Sequence, residues 1–167
     1  MAPSSIYLFD ANAIIEAVRT GVWRAMVGGL IIETVDECAQ ECRRGDTLAG
    51  AYVSVSDGDL GRLSAVHTVD PSEVSAIVLY EGAAALDLGE RDLFAYALSG
   101  RIEGLWAICS PDHASVRFAV ARGCGNQLVS LQAAVDEVGA RPNPSLRHHF
   151  TTAWLSTERT KAMLGVR

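Results

Sequence analysis

Lysine is almost missing from this sequence: Lys161 is the only one among 14 basic residues, and the other 13 are arginines. No CxxC pair occurs, and Cys38, Cys42, Cys109 and Cys124 form no cluster with histidines, which excludes the usual zinc sites. No GxGxxG or GxxxxGK[ST] run exists, so the glycine-rich phosphate cradles drop out as well. Long apolar runs are also lacking. Crossing a bilayer takes ~18–20 apolar residues, and the stretch from Ala25 to Ile32 is short and broken by Gly28 and Gly29. Met1 to Phe9 has neither a basic start nor a long apolar core, so no secretory signal and no membrane partner are expected, and a cytoplasmic location is. Internal repeats and low-complexity stretches are absent.

What is present fits one globular domain. The chain has 167 residues, 49% hydrophobic and 20% charged, enough to bury a real core. Cys38 and Cys42 are four apart and share a helix face; with no further ligand nearby they read as small buried hydrophobes. The net charge of −6 is uneven. Residues 1–140 hold nine arginines against 19 acids, a balance of −10. Residues 141–167 hold Arg141, Arg147, Arg159, Lys161 and Arg167 against Glu158, a balance of +4. An acidic body repels nucleic acid unless cations offset it, and a basic tail attracts it. Arginine also suits forked contacts to phosphate. The expected layout is therefore a domain over 1–140 and a basic helical extension over 141–167, packed on or flanking it.

Apolar and β-branched runs place strands at Ser5–Phe9, Leu30–Ile32, His67–Val69, Leu105–Cys109 and Gln127–Ser130, with a short one around Tyr52, Val53 and Val55. Helical spacing places helices at Ala11–Thr20, Thr34–Arg43, Asp70–Leu86, Gly89–Leu98, Ser110–Gly123, from Leu131 to Val138, and Ser145–Leu164. Asp70-Pro71-Ser72-Glu73 is a helix start with cap, proline and acid in order, and Thr34-x-x-Glu37 has the form of a capping box. Asp57-Gly58 marks a turn. Strands alternating with helices predict an α/β fold: a three-layer α/β/α sandwich around a mostly parallel sheet. Such sheets bind ligands at the carboxyl ends of their strands, near a topological switch.

Four acids fall at such places. Asp10 and Asp112 follow strands, Glu37 sits in the first turn of a helix after a strand, and Glu90 opens a helix. Each alone is explained by helix capping or by the helix dipole, worth roughly 0.3–1 kcal/mol. Converging carboxylates, in contrast, repel one another and raise one another's pKa unless a cation neutralises them. An all-oxygen donor set points to Mg²⁺ or Mn²⁺.

The residues around these acids resemble the PIN-domain family over roughly Ile6 to Leu131. Ile6-Tyr7-Leu8-Phe9-Asp10-Ala11-Asn12 looks like the opening strand with its first metal-binding Asp. Val35-Asp36-Glu37-Cys38 is similar to the segment of the second acid, in a register where Glu33 or Asp36 could stand in for Glu37. Leu88-Gly89-Glu90-Arg91-Asp92-Leu93-Phe94-Ala95-Tyr96-Ala97 looks like the third-acid helix, with Gly-Glu in place of the commoner Asp. Ile108-Cys109-Ser110-Pro111-Asp112 is similar to the strand that ends in Ser/Thr-x-Asp. His113 and Ser115 stand where many relatives carry another acid.

The resemblance implies a PIN-like fold and a metal-dependent ribonuclease, a phosphodiesterase acting on single-stranded or structured RNA. Asp10, Glu90 and Asp112 would coordinate Mg²⁺ or Mn²⁺, and Glu37 would ligate directly or orient a bound water. Asn12 and Ser110 would orient the carboxylates. Asp92, about 200° round a helix from Glu90, is secondary. Small proteins of this kind are often VapC-type toxins of toxin–antitoxin pairs, commonly homodimers held by an antitoxin peptide. Arg91 and Arg117 could meet phosphates, while Arg147-His148-His149 reads as a solvated tail. A second reading stays open: a catalytically weak PIN-like module that binds nucleic acid or protein and keeps its acids as caps. Phosphatases of the haloacid dehalogenase type also begin with a strand ending in Asp, but they need a second Asp where this chain has Asn12.

Overall fold

The computed structural model describes residues 5–45 and 53–166. In chain order the elements are β1 (Ile6–Phe9), α1 (Ala11–Arg19), α2 (Trp23–Gly29), β2 (Ile31–Val35), α3 (Asp36–Arg44), α4 (Asp57–Leu60), β3 (Ala65–His67), α5 (Pro71–Ile77), α6 (Leu88–Ala97), β4 (Trp106–Cys109), α7 (His113–Ala121), α8 (Leu131–Glu137) and α9 (Thr152–Met163). The four strands form one sheet in the order β3-β2-β1-β4, and every pairing is parallel. Helices flank it, so the architecture is a three-layer α/β/α sandwich. Leu8, Phe9, Ile32, Val35, Ile108 and Cys109 are all buried, as a parallel sheet covered on both faces requires. Among the described residues no helix is long and apolar enough to cross a membrane.

The strand order sets the functional edge. From β1 the chain builds outward through β2 and β3, then returns to lay β4 on the other side of β1. The switch point therefore lies between the carboxyl ends of β1 and β4. Hydrogen bonds pin both ends there. Asp10 N donates to Cys109 O at 3.0 Å, and Thr34 Oγ1 donates to Phe9 O at 2.6 Å.

Several elements differ from the sequence reading, for identifiable reasons. Thr34 lies in β2 and spends its hydroxyl on β1, so it caps nothing; Val35 is the residue before α3 and makes no side-chain cap. The helix from Asp70 has the expected capped start, closed as a capping box with Glu73, but ends at Ile77, and Gly82 with φ +85 turns the chain before a 3-10 turn at Ala83–Ala85. Asp57-Gly58 lies inside α4, where Ser56 accepts from Asp59 N. The third strand sits two residues earlier than expected. Val53 and Val55 form no strand, and Tyr52 lies outside the described residues. Gln127–Ser130 is not a strand either. A 3-10 turn covers Gly125–Gln127, a single parallel bridge joins Leu128 to Ile108, and Ser130 then caps α8.

The basic segment after residue 140 is docked rather than solvated. Phe150, Trp154 and Leu155 are buried, and α9 packs against α7. Its anchor is Glu16, whose side chain in α1 is fully buried. Arg19 reaches Glu16 through Nε at 2.8 Å and Nη2 at 2.7 Å. Arg147 adds its backbone N and its Nε, each at 2.8 Å. Burial alone would raise the Glu16 pKa, but these hydrogen bonds outweigh it and hold the carboxyl below its ordinary value. Glu16 therefore stabilises the fold above its unfolded pKa, and that contribution is lost as pH falls through its lower folded value. Removing the carboxylate takes away the buried acceptor that the two arginines share. Glu16→Ala is expected to lower the unfolding free energy by about 3 kcal/mol in urea titration at neutral pH; a loss no larger than that of an ordinary surface substitution would contradict this anchor.

Candidate metal centre

Asp10 follows β1 and stands at the switch point, only 1% exposed. It precedes α1 but makes no side-chain cap. Cys38 Sγ lies 3.8 Å from Asp10 Oδ1. Asp10 Oδ2 is buried and, among the described residues, has no hydrogen-bond partner. Burial, then the charges of Asp87 and Glu41, push the carboxyl up to about 7, while the amides of Ala11 and Asn12 pull the other way.

Glu90 enters from α6 and is 3% exposed. It shares a reciprocal box with Asp87. Glu90 N donates to Asp87 Oδ1 at 2.8 Å, and Asp87 N donates to Glu90 Oε2 at 3.1 Å. Ser110 Oγ lies 3.4 Å from Glu90 Oε1 and 2.9 Å from Ser115 Oγ, and its one proton can serve only one of them at a time. Burial raises Glu90 to about 8, helped by the charges of Asp10, Asp112 and Asp87.

Asp112 comes from the segment after β4. Its Oδ1 accepts from Ala114 N at 2.7 Å and caps α7. It remains half-buried and close enough to Glu90 for its charge to be felt.

The acid that α3 brings to the cluster is Glu41 rather than Glu37. Burial, then Asp87 and Glu37, raise Glu41 to about 7. It packs where α6 lacks a side chain: a Cβ on Gly89 would lie 3.0 Å from each Glu41 carboxylate oxygen. Glu37 is half-buried at the rim and pairs with Arg44 at 3.6 Å. Glu33 is committed elsewhere, 2.7 Å from His67 Nε2, and Asp36 is exposed and accepts from Thr68 Oγ1.

Asp10, Glu90 and Asp112 are thus brought together, and the sequence reading missed Glu41 and Asp87. Both left a signal. Glu41 is one helical turn past Cys38, on the face that turns toward Asp10, and Asp87-x-x-Glu90 has the capping-box spacing. Asn12 is exposed, and among the described residues its side chain makes no hydrogen bond to the acids. Asp92 faces away, held by Arg91 at 2.9 Å, which also occupies that arginine. Arg117 is exposed in the groove between α7 and the end of α9.

The charges couple, yet among the described residues no three Asp, Glu, His or Cys side chains are arranged to hold one ion together. The reason is visible in the caps: Glu90 folds back to Asp87, and Asp112 turns to Ala114. The donor chemistry still fits a hard cation. Mg²⁺ keeps most of its waters and takes one or two carboxylates, so it does not need a three-ligand protein cage. Asp10, with its unpartnered oxygen, is the residue that could hold such an ion, and Glu90 and Glu41 are the acids whose charges couple to it. No protein-family profile, curated protein or solved structure matches this chain.

Asp10, Glu41 and Glu90 hold protons more tightly folded than unfolded, so the folded chain carries extra protons between about pH 4 and pH 8. The ion-free protein should lose stability as pH rises through that window. Asp10→Asn should remove a few kcal/mol of the decline. Urea unfolding of both proteins in chelator, at pH 5 and pH 8, measures this; parallel behaviour of the two would refute the burial penalty at Asp10.

Proposed function

We propose that this chain is a divalent-metal-dependent ribonuclease of the PIN type, working with Mg²⁺ or Mn²⁺ at the Asp10 centre. The observation that carries the reading is Asp10 itself: a buried carboxylate, one oxygen without a partner, among other acids at the sheet's switch point. In a ground state without a cation this arrangement is costly. A cation removes the cost.

When bound, the ion would lower the pKa of a water and stabilise charge on a phosphodiester oxygen. Asp10 would be its constant ligand. Glu90 and Glu41 would give up their protons on binding, and Asp112 would turn from its cap. Ser110 would keep Glu90 oriented through its hydroxyl. Arg117, exposed on α7, would be available to meet an RNA phosphate. The narrower role, a homodimeric toxin paired with an antitoxin in the cytoplasm, rests on the resemblance alone.

The capped carboxylates favour a second reading. Glu90 and Asp112 both have helix amides to satisfy, so a PIN-like module that binds RNA or protein without turnover would keep the same caps. Calorimetry with Mn²⁺ and cleavage of labelled single-stranded RNA separate the two. The wild type should bind and cleave, and Asp10→Asn should stay folded and lose both. Glu41→Gln should weaken Mn²⁺ binding by more than about ten-fold, and Glu37→Gln by less than the roughly ten-fold typical of an outer-sphere partner. A wild type that neither binds Mn²⁺ nor cuts RNA would leave the binding module.

A further inference from the structure

Cys38 brings α3 against Asp10, the residue that follows β1. Its side chain is fully buried, and its Sγ lies 3.8 Å from Asp10 Oδ1. The direction of this contact follows from the neighbours. The Cys38 thiol is the donor and Asp10 Oδ1 the acceptor, the one direction open once the carboxylate is ionised. Thr34, next to the sulfur, has already given its hydroxyl proton to Phe9 O at 2.6 Å. On the α6 side, a Cβ on Gly89 would lie 3.1 Å from Cys38 Sγ and 3.0 Å from each Glu41 oxygen. The bare glycine lets α6 close over the sulfur and fix it. Asp10 Oδ1 is thereby engaged, and Oδ2 is the oxygen without a partner.

We propose that Cys38 is a positioning residue of this centre: its S–H holds Asp10 Oδ1 and leaves Oδ2 as the oxygen offered to a cation. The inference rests on the reading of Asp10 as a metal ligand. It also separates Cys38 from the other buried cysteines. Cys109 and Cys124 have no hydrogen bond to a carboxylate among the described residues, and Cys42 points its sulfur at Ala11 O, 3.8 Å away. A merely space-filling Cys38 would be replaced by alanine at a cost in packing only. A positioning Cys38 needs a donor, which serine keeps and alanine lacks.

Two measurements on the full chain test this, with thermal unfolding as the control for folding. In the ion-free protein, the infrared S–H stretch assigned to Cys38 by subtraction of the Cys38→Ala spectrum should lie at a hydrogen-bonded frequency. It should move to that of an unbonded thiol in Asp10→Ala. A band that ignores Asp10→Ala overturns the hydrogen bond. In calorimetry with Mn²⁺, Cys38→Ala should bind about ten-fold more weakly than wild type, and Cys38→Ser should recover most of the loss. Wild-type affinity in Cys38→Ala overturns the positioning role while leaving the metal centre standing. Absence of Mn²⁺ binding in the wild type itself overturns the metal reading and this role with it.

Discussion

A carboxylate almost wholly removed from water, with one oxygen unpartnered among the described residues, is the constraint around which this fold is arranged. Asp10 is placed by the sheet itself. Its amide is bonded to the end of β4, and the residue before it is bonded to the end of β2. The backbone at Asp10 cannot shift without breaking the junction of the β1, β2 and β4 ends. The surrounding chain does not relieve its charge. It adds to it, with Glu41 from α3 and Asp87 and Glu90 from α6.

Two electrostatic solutions sit side by side in the molecule. At Glu16 a fully buried carboxylate is answered by two arginines, and its pKa is lowered. At Asp10 the same kind of burial is answered by more carboxylates, and the pKa is raised to about 7. The first is a structural anchor that holds the C-terminal segment on α1. The second is the centre that we propose for a cation. The contrast matters because both acids lie within seven residues, on the same strand–helix unit, and groups of opposite charge face them.

How much of this was legible in the sequence depends on what fixed each element. The alternation of strands and helices was readable because each buried strand is an apolar run bounded by turn residues, and the parallel sandwich followed from it. Asp70-Pro71-Ser72-Glu73 was readable because every bond in that cap is local. Thr34-x-x-Glu37 had the same form and was misleading, since Thr34 bonds across the sheet to Phe9. Local pattern cannot reveal a tertiary partner. The same limit hid Glu41, whose place depends on Gly89 of another helix, and it made Gln127–Ser130 look like a strand when only Leu128 reaches the sheet. Asp10, Glu90 and Asp112 were legible because strand ends and helix starts are themselves marked in sequence.

The claim that Asp10 is held for a cation is tested most directly by carbon-13 NMR of its side-chain carboxyl across a pH titration, with and without Mg²⁺. The carboxyl should titrate near pH 7 in the ion-free protein and stay ionised throughout that range when Mg²⁺ is present. An Asp10 carboxyl whose titration is unchanged by Mg²⁺ would contradict it.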